Sequence, residues 1–116
     1  MILVDTSVWV DHLHRPVPEL VEALEAGRVV THDFVIGELM CGQFKHREVF
    51  FQNLLALEKI PQASHENVWA LIENFGLMGR GLGFVDMHIL AACRLSGVAL
   101  LTHDKRLHEI SMNLRG

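Results

Sequence analysis

MILVDTSVW, residues 1–9, sets Ile2, Leu3 and Val4 directly against the carboxylate of Asp5 and the hydroxyls of Thr6 and Ser7. Unbroken apolarity without alternation marks a strand covered on both faces, as in parallel sheets wrapped by helices. The device returns in VALLTHD, residues 98–104, where a β-favouring run again leads into an aspartate, Asp104. RVVTH, residues 28–32, reads as a further strand, and KIPQA, residues 59–63, as a short edge strand. Between these lie helical patterns. TSVWVDHLH (6–14) offers hydroxyls for an N-cap, VPELVEALEAG (17–27) places Leu20, Val21 and Leu24 on one stripe before Gly27, and DFVIGELMCGQF begins at Asp33 as N-cap. HREVFFQNLLALEKI (46–60) continues as an amphipathic helix stopped by Pro61. SHENVWALIENFGLMG (64–79) opens around Ser64 and Asn67 and closes at glycines, and FVDMHILAACRLSG (84–97) ends at Gly97. Parallel neighbours need crossover connections, and these are helical. The order therefore predicts an α/β chain, an α/β/α sandwich around a central parallel sheet.

At 116 residues the chain fits one domain, residues 1–116, with a single core. Half the residues are hydrophobic and 21% are charged, which reads as globular rather than disordered. A net charge of −4 lacks the broad basic footprint of a protein that coats nucleic acid. It leaves room for a local rim drawn from Lys45, Arg47, Arg80, Arg94, Lys105 and Arg106, set against their reading as ordinary solvated charges. The apolar run after Met1 is too short for a signal peptide or a membrane span, so a cytoplasmic location is expected. Cys41 and Cys93 stand apart in helical stretches and read as reduced core thiols.

The chemistry lies in four acids. Ligands of open parallel sheets sit beyond the carboxyl ends of the strands, where Asp5 and Asp104 fall. Glu38 interrupts an otherwise apolar helix and must either reach solvent or be desolvated. Asp86 opens a helix whose next turns are apolar. Each has a bland alternative: a cap for Asp5, a dipole-favoured acid for Asp86, a turn residue for Asp104. Taken together they point elsewhere. Carboxylates gathered in one cleft repel one another, and a hard divalent cation such as Mg²⁺ or Mn²⁺ offsets that repulsion. In phosphodiester hydrolysis such a cation activates water without any nucleophilic side chain.

ILVDTSVW, FVIGELMCG, GLGFVDMHILAA and LLTHDKRL, in that order along nearly the whole chain, resemble the PIN-domain ribonucleases, specifically VapC toxins of bacterial toxin–antitoxin pairs. The resemblance implies a PIN-like fold and a Mg²⁺-dependent endoribonuclease, with Mn²⁺ as a possible substitute. It implies Asp5, Glu38, Asp86 and Asp104 as catalytic metal ligands, with Thr6, Ser7 and Thr102 as supporting hydroxyls. It also implies an RNA substrate, a small antitoxin that inserts a segment into the acidic groove, and a toxin homodimer built on helical faces. An arginine on the antitoxin segment would suit the charge. Relatives often continue into a last strand and tail where this chain reaches Gly116, so completion of the sheet edge is left open.

Other features carry less. GRGLGFVD, residues 79–86, lacks the Lys-Ser/Thr and strand context of a nucleotide loop and reads as a close-packing turn or a flexible approach to RNA. The pairs His12/His14 and His103/His108 have no companion ligands at zinc spacing. His103, beside Asp104, is the histidine placed to meet substrate, against simple exposure. Trp9, Phe34, Phe44, Phe50, Phe51, Trp69, Phe75 and Phe84 mostly fit core or dimer packing, with one or two left for base stacking. The rival classes are a receiver-like phosphoacceptor module using Thr102 and Lys105, and an RNA-binding module that does not cut. The receiver leaves Glu38 and Asp86 without a role.

Overall fold

The computed structural model describes residues 1–115. Strand β1 (Ile2–Val4) lies in the middle of a parallel sheet, between β2 (Val29–Val30) and β3 (Ala99–Leu101). Leu3 pairs with Val30 on one side and Leu100 on the other and has no exposed surface. Seven helices complete the α/β/α sandwich: α1 (Thr6–His14), α2 (Pro18–Glu25), α3 (Asp33–Met40), α4 (Arg47–Leu55), α5 (His65–Phe75), α6 (Phe84–Ser96) and α7 (Lys105–Arg115).

Helix α6 ties the layers together. Its residues Met87 to Cys93 are all buried, six of them apolar and the seventh, His88, within hydrogen-bond distance of His65. Ile89, Ala92 and Cys93 join a core built on α1 to α4 and the strands, while Met87, Leu90 and Ala91 join a second core with Val68, Leu71, Leu107 and Ile110. Burial pushes the Cys93 thiol up to about 12, with the charge of Asp5 adding to the effect, so it is an inert core group.

Several local expectations are corrected. Helix α1 is not capped by Thr6 or Ser7. Asp5 holds the N-cap position, its carbonyl accepts from Val8 N and Trp9 N, and its side chain makes no capping bond. Helix α3 is capped by His32, whose Nδ1 accepts from Phe34 N at 2.9 Å, and Asp33 instead pairs with Lys59 and Gln62. Helix α4 ends at Leu55 rather than running to Pro61, because the chain is drawn off to pair with Thr31: Thr31 N donates to Glu58 O and Ile60 N to Thr31 O, both at 2.9 Å. KIPQA therefore contributes a single parallel bridge, Thr31 with Lys59, and not a strand. Cys41 is exposed beyond α3 instead of buried. Gly116, with the question of a completed sheet edge, lies outside the described residues. Among the described residues no helix is long and apolar enough to cross a membrane.

Candidate active site

Asp5 stays within the sheet through its backbone, its N–H donating to Leu101 O at 2.9 Å, while its side chain projects past the ends of β1 and β3. The carboxylate is buried, with 8% of the residue exposed. Its Oδ2 accepts from Ser7 Oγ at 2.9 Å and from Thr102 Oγ1 at 2.7 Å. Each hydroxyl has one proton and spends it on Asp5, so each accepts elsewhere: Ser7 Oγ from His103 N, and Thr102 Oγ1 from Asp104 N, both at 3.1 Å. This network ties the first residues of α1 to the loop after β3. Asp5 Oδ1 is left without a hydrogen-bond partner among the described residues.

The other three acids come from three further segments. Glu38, on the exposed side of α3, accepts from Thr6 Oγ1 at 2.7 Å, which resolves its apolar context in favour of solvent. Asp86 sits in the first turn of α6, half-buried, and its Oδ2 reaches Gly83 N at a long 3.4 Å. Asp104 precedes α7 and caps it, Oδ1 accepting from Leu107 N at 3.1 Å. Each of the three hydroxyls singled out in the sequence thus donates to one acid, Thr6 to Glu38 and both Ser7 and Thr102 to Asp5.

Electrostatically the four belong together. The Asp86 carboxyl is raised above its ordinary value, first by burial and then by the charges of Asp5, Asp104 and Glu38, against the lowering effect of the Gly83 N–H. No lysine or arginine relieves the group: the ion pairs among the described residues are Lys59–Asp33 and His103–Asp11. The side chains do not form a preformed cage either. Among the described residues no three His, Cys, Asp or Glu side chains converge on one ion-sized point. Three of the carboxylates instead accept from nearby donors: Glu38 from Thr6, Asp86 from Gly83 N and Asp104 from the α7 amide of Leu107.

The fold is matched in known proteins. A family model described as PIN domain matches residues 2–112. The chain belongs to the PIN-domain family. Within that family, this PIN domain is 44% identical over 108 residues to Ribonuclease VapC32 of Mycobacterium tuberculosis, in both strain CDC 1551 / Oshkosh and strain H37Rv. The match spans 92% of this chain and 87% of the relative, which places the PIN domain with the VapC type. Two crystal structures share the fold. FitAcB from Neisseria gonorrhoeae has a TM-score of 0.67 at 19% identity, covering 97% of this chain and 94% of that one. PAE2754 from Pyrobaculum aerophilum has a TM-score of 0.62 at 15% identity, covering 98% and 94%.

Other features of the PIN domain fall away from the acids or alongside them. Gly79 and Gly81 both adopt a positive φ, which glycine favours; only Gly81 is approached closely, by the Arg106 guanidinium, while Gly79 and Gly83 face open space. The expected basic rim is partly committed elsewhere: Arg47 bonds to Met40 O and Gly42 O, and Arg94 to Leu114 O. Trp9 and Phe51 are core residues, whereas Trp69, Phe75 and Phe84 are exposed on α5 and α6. His12 Nδ1 accepts from Val17 N at 3.1 Å, which takes it out of a zinc pair. Asp11, not anticipated, binds His103 Nδ1 at 2.5 Å. Its one sequence signal is its place one helical turn past Ser7.

Proposed function

We propose that this PIN domain is a Mg²⁺-dependent endoribonuclease toxin, with Mn²⁺ as a substitute, acting in the cytoplasm and restrained by a cognate antitoxin. The observation that carries the reading is the grouping of Asp5, Glu38 and Asp104 around Asp86, whose carboxyl their charges help to raise, with no lysine or arginine among the described residues paired to any of the four. The likeness to Ribonuclease VapC32 supplies the reaction class. The donor set fits a hard divalent cation, which takes oxygen ligands, keeps several waters and asks for only one or two carboxylates, so a closed cage is not required. Such a cation, when bound, neutralises a phosphodiester and activates the attacking water.

The residues of the chain have separate tasks. Asp5 offers Oδ1, its orientation fixed by the Ser7 and Thr102 hydroxyls on Oδ2. Asp86, rigid on the buried helix α6, offers the second fixed carboxylate. Glu38 and Asp104 are more exposed and would supply the remaining ligands. RNA approaches over this edge, and its specificity rests on shape.

The partners follow from two surfaces. A groove of about 850 Å³ between α1, α3 and α4 is lined by Val10, Leu13, Phe44, Val49 and Phe50, and Glu38 lies on it as well. It suits an antitoxin segment whose apolar residues fill the groove and whose arginine reaches the acids. The exposed Trp69, Phe75, Phe84, Val85 and Leu95 on α5 and α6 form the face assigned to a homodimer. The test is to incubate the protein, purified free of antitoxin, with total RNA and to sequence the new ends. Discrete Mg²⁺-dependent ends, absent in chelator, are expected, and they exclude both the receiver and the non-cutting RNA binder. No new ends at any Mg²⁺ concentration would contradict the proposal.

A further inference from the structure

His103 stands between Thr102, whose hydroxyl holds Asp5, and Asp104, yet none of the tasks above uses its side chain. It is held twice by α1. Its N–H donates to Ser7 Oγ at 3.1 Å, and its Nδ1 lies 2.5 Å from Asp11 Oδ2. A carboxylate offers only acceptors, so the hydrogen in that contact sits on Nδ1. Nε2 is then the free end of the ring, without a partner among the described residues, on a side chain 37% exposed at the rim of the acid cleft.

We infer that His103, oriented by Asp11, binds a ribose 2′-hydroxyl of the RNA beside the acids and so sets the preference for RNA over DNA. The inference rests on the nuclease reading above and adds a specificity residue to it. A hydroxyl both donates and accepts, so it satisfies Nε2 in either protonation state of the ring. A phosphate oxygen only accepts, and the Asp11 carboxylate beside the ring makes this a poor place for a second anion. The 2′-hydroxyl is also the group that distinguishes the two nucleic acids.

The experiment uses a short RNA spanning a cleavage point mapped with the wild type, and the same oligonucleotide with single 2′-deoxy substitutions at and beside the cut. The readout is the ratio of kcat/KM on RNA to that on each deoxy variant, in which any loss of folding or metal common to both substrates cancels. For the wild type, one deoxy position lowers kcat/KM by about three- to tenfold, the worth of one hydrogen bond. His103→Ala brings that ratio close to unity. Asp11→Ala lowers it, and Asp11→Asn, whose amide oxygen still accepts from Nδ1–H, restores it. A His103→Ala protein with the wild-type ratio, or a wild type indifferent to every deoxy position, overturns the inference while leaving the nuclease reading intact. Asp11→Asn no better than Asp11→Ala removes Asp11 from it. A wild type that cuts no RNA with Mg²⁺ overturns both.

Discussion

Asp86 titrates against its surroundings, and the sign of that effect is testable. Its folded-state carboxyl is raised, by burial first and by Asp5, Asp104 and Glu38 after that, while the unfolded chain keeps the ordinary value of 3.8. As pH rises through 3.8 the unfolded state gives up its proton before the native state does, so native stability falls and the loss is complete above the raised value. Asp86→Asn, in chelator, should therefore melt above the wild type at neutral pH, and the advantage should vanish on acidification below the ordinary carboxylate range. The long bond to Gly83 N survives in the asparagine variant only weakly, which opposes the gain by up to about 1 kcal/mol. A wild type that melts higher at both pH values would show that neither burial of the charge nor the neighbouring acids destabilise the fold at this residue. Thr102 tests the supporting hydroxyls. Thr102→Val keeps the shape but removes a donor to Asp5 and an acceptor for Asp104 N, and should lower cleavage by about 10- to 100-fold in a folded protein. Wild-type cleavage by that variant would deny Thr102 a part in orienting the acids.

Helix α3 carries Glu38, so its start fixes one of the four acids, and that start depends on His32. The ring is buried, accepts from Phe34 N through Nδ1 and leaves Nε2 unpartnered. Burial holds its pKa below 6.5, with His88 adding to the lowering and Asp33 opposing it. The unfolded chain thus takes up a proton first as pH falls, so the stability owed to neutral His32 is present above 6.5 and is lost below it. Urea midpoints at about pH 7.5 and about pH 5.5 should differ in that direction. His32→Ala should reduce the difference, leaving the share owed to buried His88, whose pKa burial also lowers, and cost at least about 1 kcal/mol as a lost cap. An unchanged pH dependence in His32→Ala would assign it to another group. Sequence alone pointed to Asp33 here, because both residues precede the apolar run and only the tertiary bonds from Lys59 and Gln62 take Asp33 away. The stop of α4 was hidden for the same reason, its cause being the pairing with distant Thr31. Gly76 and Gly97 were legible as helix ends, since each takes the left-handed backbone that glycine favours.

Across the whole molecule, the positions of Asp5 and Asp104 were readable because apolar runs end on them, and the parallel order of the sheet then brings both to one edge. The contact between Asp11 and His103 was not, because the place of Asp11 one turn past Ser7 says nothing of which residue after β3 it meets. The cost of this architecture falls on Asp86, whose charge is opposed in the native state by burial first and then by the charges of Asp5, Asp104 and Glu38. A cation that binds only the folded chain must then raise its stability in proportion to occupancy. The direct test is a set of thermal melts of wild type and Asp5→Asn, each in chelator and over a Mg²⁺ titration at constant ionic strength. A Tm that climbs with Mg²⁺ in the wild type and much less in Asp5→Asn is the predicted result. Equal response of the two proteins, or none in either, would contradict a metal site built on Asp5, Glu38, Asp86 and Asp104.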